Sequence, residues 1–162
     1  MTRGWADRSP EAAALLNPAL LAVVSAAAAS QYERESQEAM PWPLAFLVAP
    51  LVLHRGTREA LPRSTRTHLS TWITNNPVIR AGFPQRAQSL TGLVREGLRF
   101  GMTHGALSVT AEGRMHGVFP PSTRPIEGGD AADIVRSAGF VGKWFTRADQ
   151  PATLFALLGV AP

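Results

Sequence analysis

The sequence contains no cysteine and one tyrosine, and charged residues make up only 17% of its 162 positions. The absence of cysteine excludes disulfide bonds, thiolate nucleophiles and cysteine-ligated metal centres, and it favours a cytoplasmic location. We expect no secretory leader, because Trp5, Asp7 and Glu11 interrupt the segment where a basic and then apolar leader would lie.

Long apolar runs are also scarce. The run at 15–29 contains Asn17-Pro18 and is shorter than the roughly 20 residues that a membrane-spanning helix needs. The run at 44–53 is shorter still and contains Pro50. We therefore expect no membrane association. The apolar fraction of 45% is enough to fill the core of one domain covering 1–162.

The positive charge is almost entirely arginine, since Lys143 is the single lysine among 16 basic residues. Residues 54–99 hold eight arginines against two glutamates, whereas 1–53 is acidic and 100–162 is balanced. Arginine suits phosphate recognition, but a GC-rich genome produces the same preference. Composition alone leaves nucleic-acid binding open.

Residues 80–119 follow the order of a winged helix-turn-helix. Phe83, Ala87 and Leu90 indicate a short helix, and the turn-forming residues Ser89, Thr91 and Gly92 predict its end. A second helix is predicted from positions that share one face: Leu93, Val94, Gly97, Leu98, Gly101 and Met102. His104-Gly105 would end it, and alternating apolar residues around Glu112-Gly113 predict a β-hairpin.

Helical patterns flank this segment on both sides, in 1–79 and in 130–160. The predicted helices begin near Ser9, run from Pro18 to about Glu35, over 44–53, from about Ser64 to Asn75, from Asp130 with a break or bend at Gly139 and Gly142, and from Pro151. Pro120, Pro121, Pro125, Gly128 and Gly129 predict a loop. The expected fold is mainly α with a small β-hairpin, in which a winged helix-turn-helix-like core has N- and C-terminal helical extensions.

The second helix of this core is the candidate nucleic-acid surface. Arg95 and Arg99 lie one turn apart and repel each other unless an anion lies between them. Contact with phosphates or base edges is one interpretation, with Arg86, Arg114 and His116 assisting. The other interpretation is a solvated helix face, and winged helices also dock proteins.

A catalytic or metal site is not predicted. The four histidines (His54, His68, His104 and His116) form no pair at one-turn spacing, and no glycine-rich loop precedes a lysine. We expect no enzymatic activity, no cofactor and no small-molecule substrate. Trp144-Phe145 beside Lys143 and Arg147 is a candidate protein interface, since Trp and Arg dominate interface energetics, although burial in the core is the alternative.

Several segments, taken in order, resemble one known family. They are NPALL at 17–21, LVAPLVLH at 47–54, Leu61-Pro62, Trp72-Ile73, FPQR at 83–86, GFVGKWF at 139–145 and TLFALLGVAP at 153–162. In this order the segments resemble the small middle component of bacterial three-component ABC-ATPase (ABC-3C) systems, a group that includes Lamassu-type antiphage defence.

The resemblance implies a non-catalytic subunit that accompanies an SMC-like ABC ATPase and a separate effector, often a nuclease. Such a subunit would link DNA sensing by the ATPase to release of the effector. The family supplies no catalytic or DNA-contact residues to transfer. The alternative is a free-standing winged-helix transcription regulator, which would dimerise and bind one operator far more tightly than random DNA.

Overall fold

A computed structural model describes residues 17–118 and 129–161, which form helices and a small antiparallel sheet. The helices are α1 (Pro18–Ser36), α2 (Ala45–Leu53), α3 (Arg55–Glu59), α4 (Leu69–Asn75), α5 (Pro77–Thr103), α6 (Asp130–Phe145) and α7 (Pro151–Leu158). The strands are β1 (Met40–Pro41), β2 (Leu107–Val109) and β3 (Arg114–Gly117). The mainly helical class is confirmed. The predicted helix near Ser9 and the loop residues 120–128 lie outside the described residues.

Helix α1 lies at the centre of the fold, where it packs against α5, α6, β3 and α2. The side chain of Asn17 caps the helix by accepting a hydrogen bond from the Ala19 backbone N–H at 2.8 Å, and Pro18 occupies the first turn. Alanine favours helix and occupies little volume. The run of alanines from Ala26 to Ala29 is buried, so that neighbouring elements can approach the α1 backbone closely.

Glycines on three neighbouring elements make this approach possible. A Cβ atom at Gly142 of α6 would collide with the backbone carbonyl of Ala28, and one at Gly117 of β3 would collide with that of Ala26. A Cβ atom at Gly97 of α5 would collide with the side chain of Leu21. The three elements therefore contact α1 at distances that only glycine permits.

The sequence predicts a break or bend at Gly139 and Gly142, and the break is wrong. Helix α6 continues from Asp130 to Phe145, and Gly142 lies inside it. Its buried residues line one side, against α1 and α2. Glycine at this position reflects close packing against α1 rather than the end of a helix.

The predicted turn at residues 89–92 is also wrong, because α5 is a single helix through this region. The hydroxyl of Ser89 donates to the Arg86 carbonyl at 2.9 Å, and that of Thr91 donates to the Ala87 carbonyl at 3.1 Å. Both side chains bond to the backbone of their own helix instead of capping a new one. With no turn between two helices, the winged helix-turn-helix core is not confirmed.

The predicted hairpin is confirmed, and it carries an additional strand. Strands β2 and β3 pair antiparallel with Val109 opposite Met115, and Gly113 takes a positive φ of 77° in the turn between them. Strand β1 pairs with the other edge of β3, with Met40 opposite Met115. The sheet order is therefore β1-β3-β2, and Met40 and Met115 are fully buried.

The other predicted helices within the described residues are found, and the clearest difference is the later start of the helix that ends at Asn75. The 44–53 run forms α2 and is largely buried, with Leu47, Val48, Leu51 and Val52 all 0% exposed. The helix predicted from about Ser64 begins only at Leu69 and ends at Asn75 as expected. Helix α7 begins at Pro151, as the sequence predicts.

We predict that Gly142→Ala lowers the free energy of unfolding by roughly 3 kcal/mol, because its new methyl group overlaps the Ala28 carbonyl and α6 must shift. Gly82→Ala is the matched control. No atom lies within 4 Å of a Cβ at this exposed position of α5, so alanine raises the stability by about 0.5–1 kcal/mol. Urea unfolding followed by circular dichroism measures both. Equal stabilities for the two variants would contradict the close contact between α1 and α6.

Candidate functional site

One side of α5 forms the floor of a long apolar groove, which we call the α5 groove. Its wider half has a volume of about 600 Å³ and is lined mainly by Trp42, Phe46, Ala87, Thr91, Arg95 and Phe155. Its narrower half, of about 340 Å³, is lined mainly by Trp42, Arg95, Arg99, Met102, Leu107 and Val109. Trp42 and Arg95 line both halves, so the two halves adjoin.

The groove exposes large apolar side chains at fixed positions. Trp42 is 40% exposed, Met102 is 45% exposed and Val109 is 42% exposed. The Trp42 backbone N–H donates to the Gly113 carbonyl at 3.1 Å, and its ring packs edge-on against Phe46 with the ring centroids 5.8 Å apart. Contiguous apolar surface of this kind marks binding sites in soluble proteins.

Two cations lie on the same side of α5. Arg95 and Arg99 are exposed and line the groove. Within residues 17–118 and 129–161, no carboxylate lies within ion-pair distance of either guanidinium. The α5 groove therefore combines apolar walls with a local positive charge.

Arg114 and His116, which are also predicted to contact nucleic acid, lie on the face of the sheet that points away from the α5 groove. The Arg114 guanidinium donates to the Ala39 carbonyl at 3.1 Å, and His116 Nδ1 lies 3.1 Å from a carboxylate oxygen of Glu33. Alternate strand residues point to opposite faces. Arg114 and His116 thus point away from Met115, whose side chain lines the groove.

Arg86 lies on another side of α5, since it precedes Arg95 by about two and a half turns. Its Nε and Nη2 atoms are buried and find no hydrogen-bond partner in the described part of the chain. Burial lowers the pKa of the Arg86 guanidinium. Of the five candidates, the structure therefore brings only Arg95 and Arg99 to the α5 groove.

The candidate interface at 143–147 is divided between the core and the surface. Trp144 is 2% exposed and Phe145 is 1% exposed, so neither ring is available to a partner. The indole N–H of Trp144 donates to the Thr67 carbonyl at 2.7 Å. Lys143 and Arg147 are at the surface, where each lies 3.6 Å from a carboxylate oxygen of Glu35. The surface part of this candidate is therefore limited to the two cations.

The described residues contain no group of three or more histidine, aspartate or glutamate side chains arranged to hold a metal ion. No described helix combines the length and apolar character needed to cross a membrane.

A family model described as ABC-three component (ABC-3C) system Middle Component 3 matches residues 5–162. The chain belongs to this family. Comparisons with curated proteins and with solved structures find no match. The resemblance seen in segments such as 47–54 and 139–145 is thereby confirmed, and membership of a multi-component system implies partner subunits.

The α5 groove of this Middle Component 3 chain was not predicted from the sequence. Spacing on α5 placed Arg95 and Arg99 together, but it gave no sign that Trp42 lies beside them. Trp42 reaches the turn of the hairpin because the preceding residues, Met40-Pro41, form strand β1 and pair with β3. A strand of this length is too short to recognise by the alternation of apolar and polar residues.

We predict that Arg86→Met raises the pKa of His54. Partial desolvation and, secondly, the positive charge of Arg86 lower this pKa below its ordinary value. Neutral His54 accepts a hydrogen bond at Nδ1 from the Thr57 backbone N–H. Its contribution to the free energy of unfolding is therefore fully present above a pH of about 6.5, and it is lost as the pH falls through the lowered pKa of His54. Removing the neighbouring charge weakens that pH dependence.

An NMR pH titration of the His54 ring, with urea unfolding at pH 8 and pH 5.5, measures these effects. Arg86→Met should also raise the stability at pH 8 by about 1 kcal/mol, because two unpartnered buried nitrogens are removed. Arg95→Met, on the other side of α5, is the control and should leave the His54 titration unchanged. An unchanged His54 pKa in Arg86→Met would contradict the electrostatic contact.

Proposed function

We propose that this chain is a non-catalytic adaptor that joins the SMC-like ATPase of its ABC-3C system to a separate effector. The observation that carries the proposal is the α5 groove, a preformed apolar surface on a subunit that belongs to a multi-component family. Partially exposed aromatic and methionine side chains beside arginine are typical of protein interfaces.

An adaptor needs a second contact surface, and a smaller recess between α4, α6 and α7 supports one. It has a volume of about 190 Å³, and its lining includes His68, Ser70, Arg147, Asp149 and Leu154. Lys143 precedes Arg147 by about one turn at the end of α6. We propose that this recess, with Arg147 in its lining, contacts the other partner. The lining is more polar than that of the α5 groove, so the two surfaces suit different partners.

The transcription-regulator alternative loses its main support. It depends on two short helices joined by a turn, and α5 is one helix instead. DNA contact by Arg95 and Arg99, the two candidates that line the α5 groove, stays one interpretation of the sequence, which charge reversal tests.

Co-purification tests the adaptor function. We expect the tagged chain, expressed with the other two components of its system, to be recovered in one assembly with the ATPase, as measured by native mass spectrometry. When the ATPase and effector are expressed without this chain, we expect them not to form an assembly with each other. The transcription-regulator alternative would be supported instead if the ATPase and effector are present in solution and the tagged chain is recovered only as a homodimer that binds one DNA sequence tightly.

Reversal of both groove charges tests DNA contact. For the purified assembly, we expect Arg95→Glu with Arg99→Glu to leave DNA affinity and its salt dependence unchanged, because only these two cations of the described residues line the groove and its walls are mostly apolar. Arg63→Glu with Arg66→Glu is a control of equal charge change in the connection before α4. Fluorescence anisotropy at several salt concentrations measures both. Weaker binding with a flatter salt slope in the groove variant alone would assign Arg95 and Arg99 to DNA.

A further inference from the structure

The shape of the α5 groove restricts what it can bind. The α5 residues that line it recur about once per turn from Pro84 to Met102. This stretch of helix is roughly 27 Å long. Most backbone groups of α5 are already bonded within the helix, so the floor offers a ligand few backbone partners. An occupant must therefore satisfy its own backbone hydrogen bonds. A helix of roughly 18 residues meets both conditions.

The chemistry of the groove restricts the occupant further. Trp42, Met102 and Val109 offer apolar surface, and the flexible thioether of methionine adapts to the shape of an inserted side chain. Arg95 and Arg99 stand one turn apart with no carboxylate partner among the described residues. Their mutual repulsion is relieved by a carboxylate placed between them, and the apolar surroundings strengthen that attraction.

We infer that the α5 groove binds an amphipathic, acidic helix of another subunit of the ABC-3C system. Apolar side chains of that helix pack against Trp42 and Met102, and a carboxylate on its flank pairs with Arg95 and Arg99. This inference rests on the proposed adaptor function, and it specifies the class of segment that the adaptor recognises.

Nucleic acid fits the groove less well than such a helix. A phosphate backbone requires a row of cations along its path, whereas among residues 17–118 and 129–161 only Arg95 and Arg99 are cations that line the groove. The remaining lining is mostly apolar, including Phe46, Phe155 and Val160. Charge complementarity and apolar area together therefore favour an acidic amphipathic helix.

Site-specific photo-crosslinking identifies the occupant. The photoreactive amino acid p-benzoylphenylalanine is introduced at position 102 in the groove and, as a matched control, at position 78. Val78 is 85% exposed and lies in the first turn of α5, outside the groove. In the purified three-component assembly, we expect position 102 to crosslink to a partner segment with apolar residues at helical spacing and a carboxylate on one flank, as read by mass spectrometry.

Other crosslinks at position 102 overturn the inference. These are crosslinks to residues 1–16 or 119–128 of the same chain, to a second copy of the chain, to DNA, or to a partner segment without that pattern. The absence of any crosslink in an assembly that does form also overturns it.

Affinity measurements provide an independent test. Met102→Glu and Arg95→Glu should each weaken the affinity for the partner subunit by roughly tenfold or more, whereas Val78→Glu should change it less than about twofold. Thermal melting of the isolated variants checks that each remains folded, which the exposed positions allow. Exchange of the crosslinked carboxylate for lysine should restore the affinity of Arg95→Glu.

The result separates the two proposals. If the wild-type assembly forms and Met102→Glu binds as tightly as wild type, the groove assignment is wrong while the adaptor function stands. If the wild-type chain joins no assembly with its purified partners, the adaptor function fails and the inference fails with it.

Discussion

The fold depends on direct contact between the backbone of α1 and glycines of the elements around it. Alanines along the middle of α1, with Gly97, Gly117 and Gly142 opposite α1, let α5, β3 and α6 lie closer than side chains would allow. Such contacts tolerate little displacement, because an added methyl group at Gly117 or Gly142 meets backbone, and one at Gly97 meets the Cβ atom of Leu21, which no rotation of that side chain can move. The relative positions of these elements are consequently fixed by a few small residues.

This constraint also produces the α5 groove. Arg95 and Arg99 each lie two positions from Gly97, which places them almost opposite the side of α5 that contacts α1. Helix α7 then supplies part of the wall of the wider half of the groove, and the sheet supplies that of the narrower half. Because α5 is held rigidly by its buried side, its exposed side is preorganised, and a partner that binds there loses less entropy in ordering the surface.

The sequence was informative wherever the determinants are local. Asn17-Pro18 defined the start of α1, and Gly113 defined the hairpin turn. It was misleading at residues 89–92, where cap-forming side chains lie in a helix because burial of Val94 and Leu98 outweighs their local preference. Pairing of β1 with β3 and the approach of Trp42 to α5 join distant segments, which no periodicity reveals. The two cations of the candidate site could therefore be predicted from the sequence, whereas the apolar surface beside them could not.

The excess of arginine in residues 54–99 has several structural causes. Arg58 donates to the Val52 carbonyl at 2.8 Å and pairs with Asp130 at 3.2 Å, so it joins the end of α2 to the start of α6. Arg80 donates to the Leu157 carbonyl at 2.7 Å near the end of α7, where a cation also interacts favourably with the helix dipole. Because Arg58 is paired with a carboxylate, it contributes little net charge to the field outside the protein. Arg95 and Arg99 have no carboxylate partner in the described part of the chain, so their charges are available to a partner, and a short acidic segment matches this pair better than a polyanion.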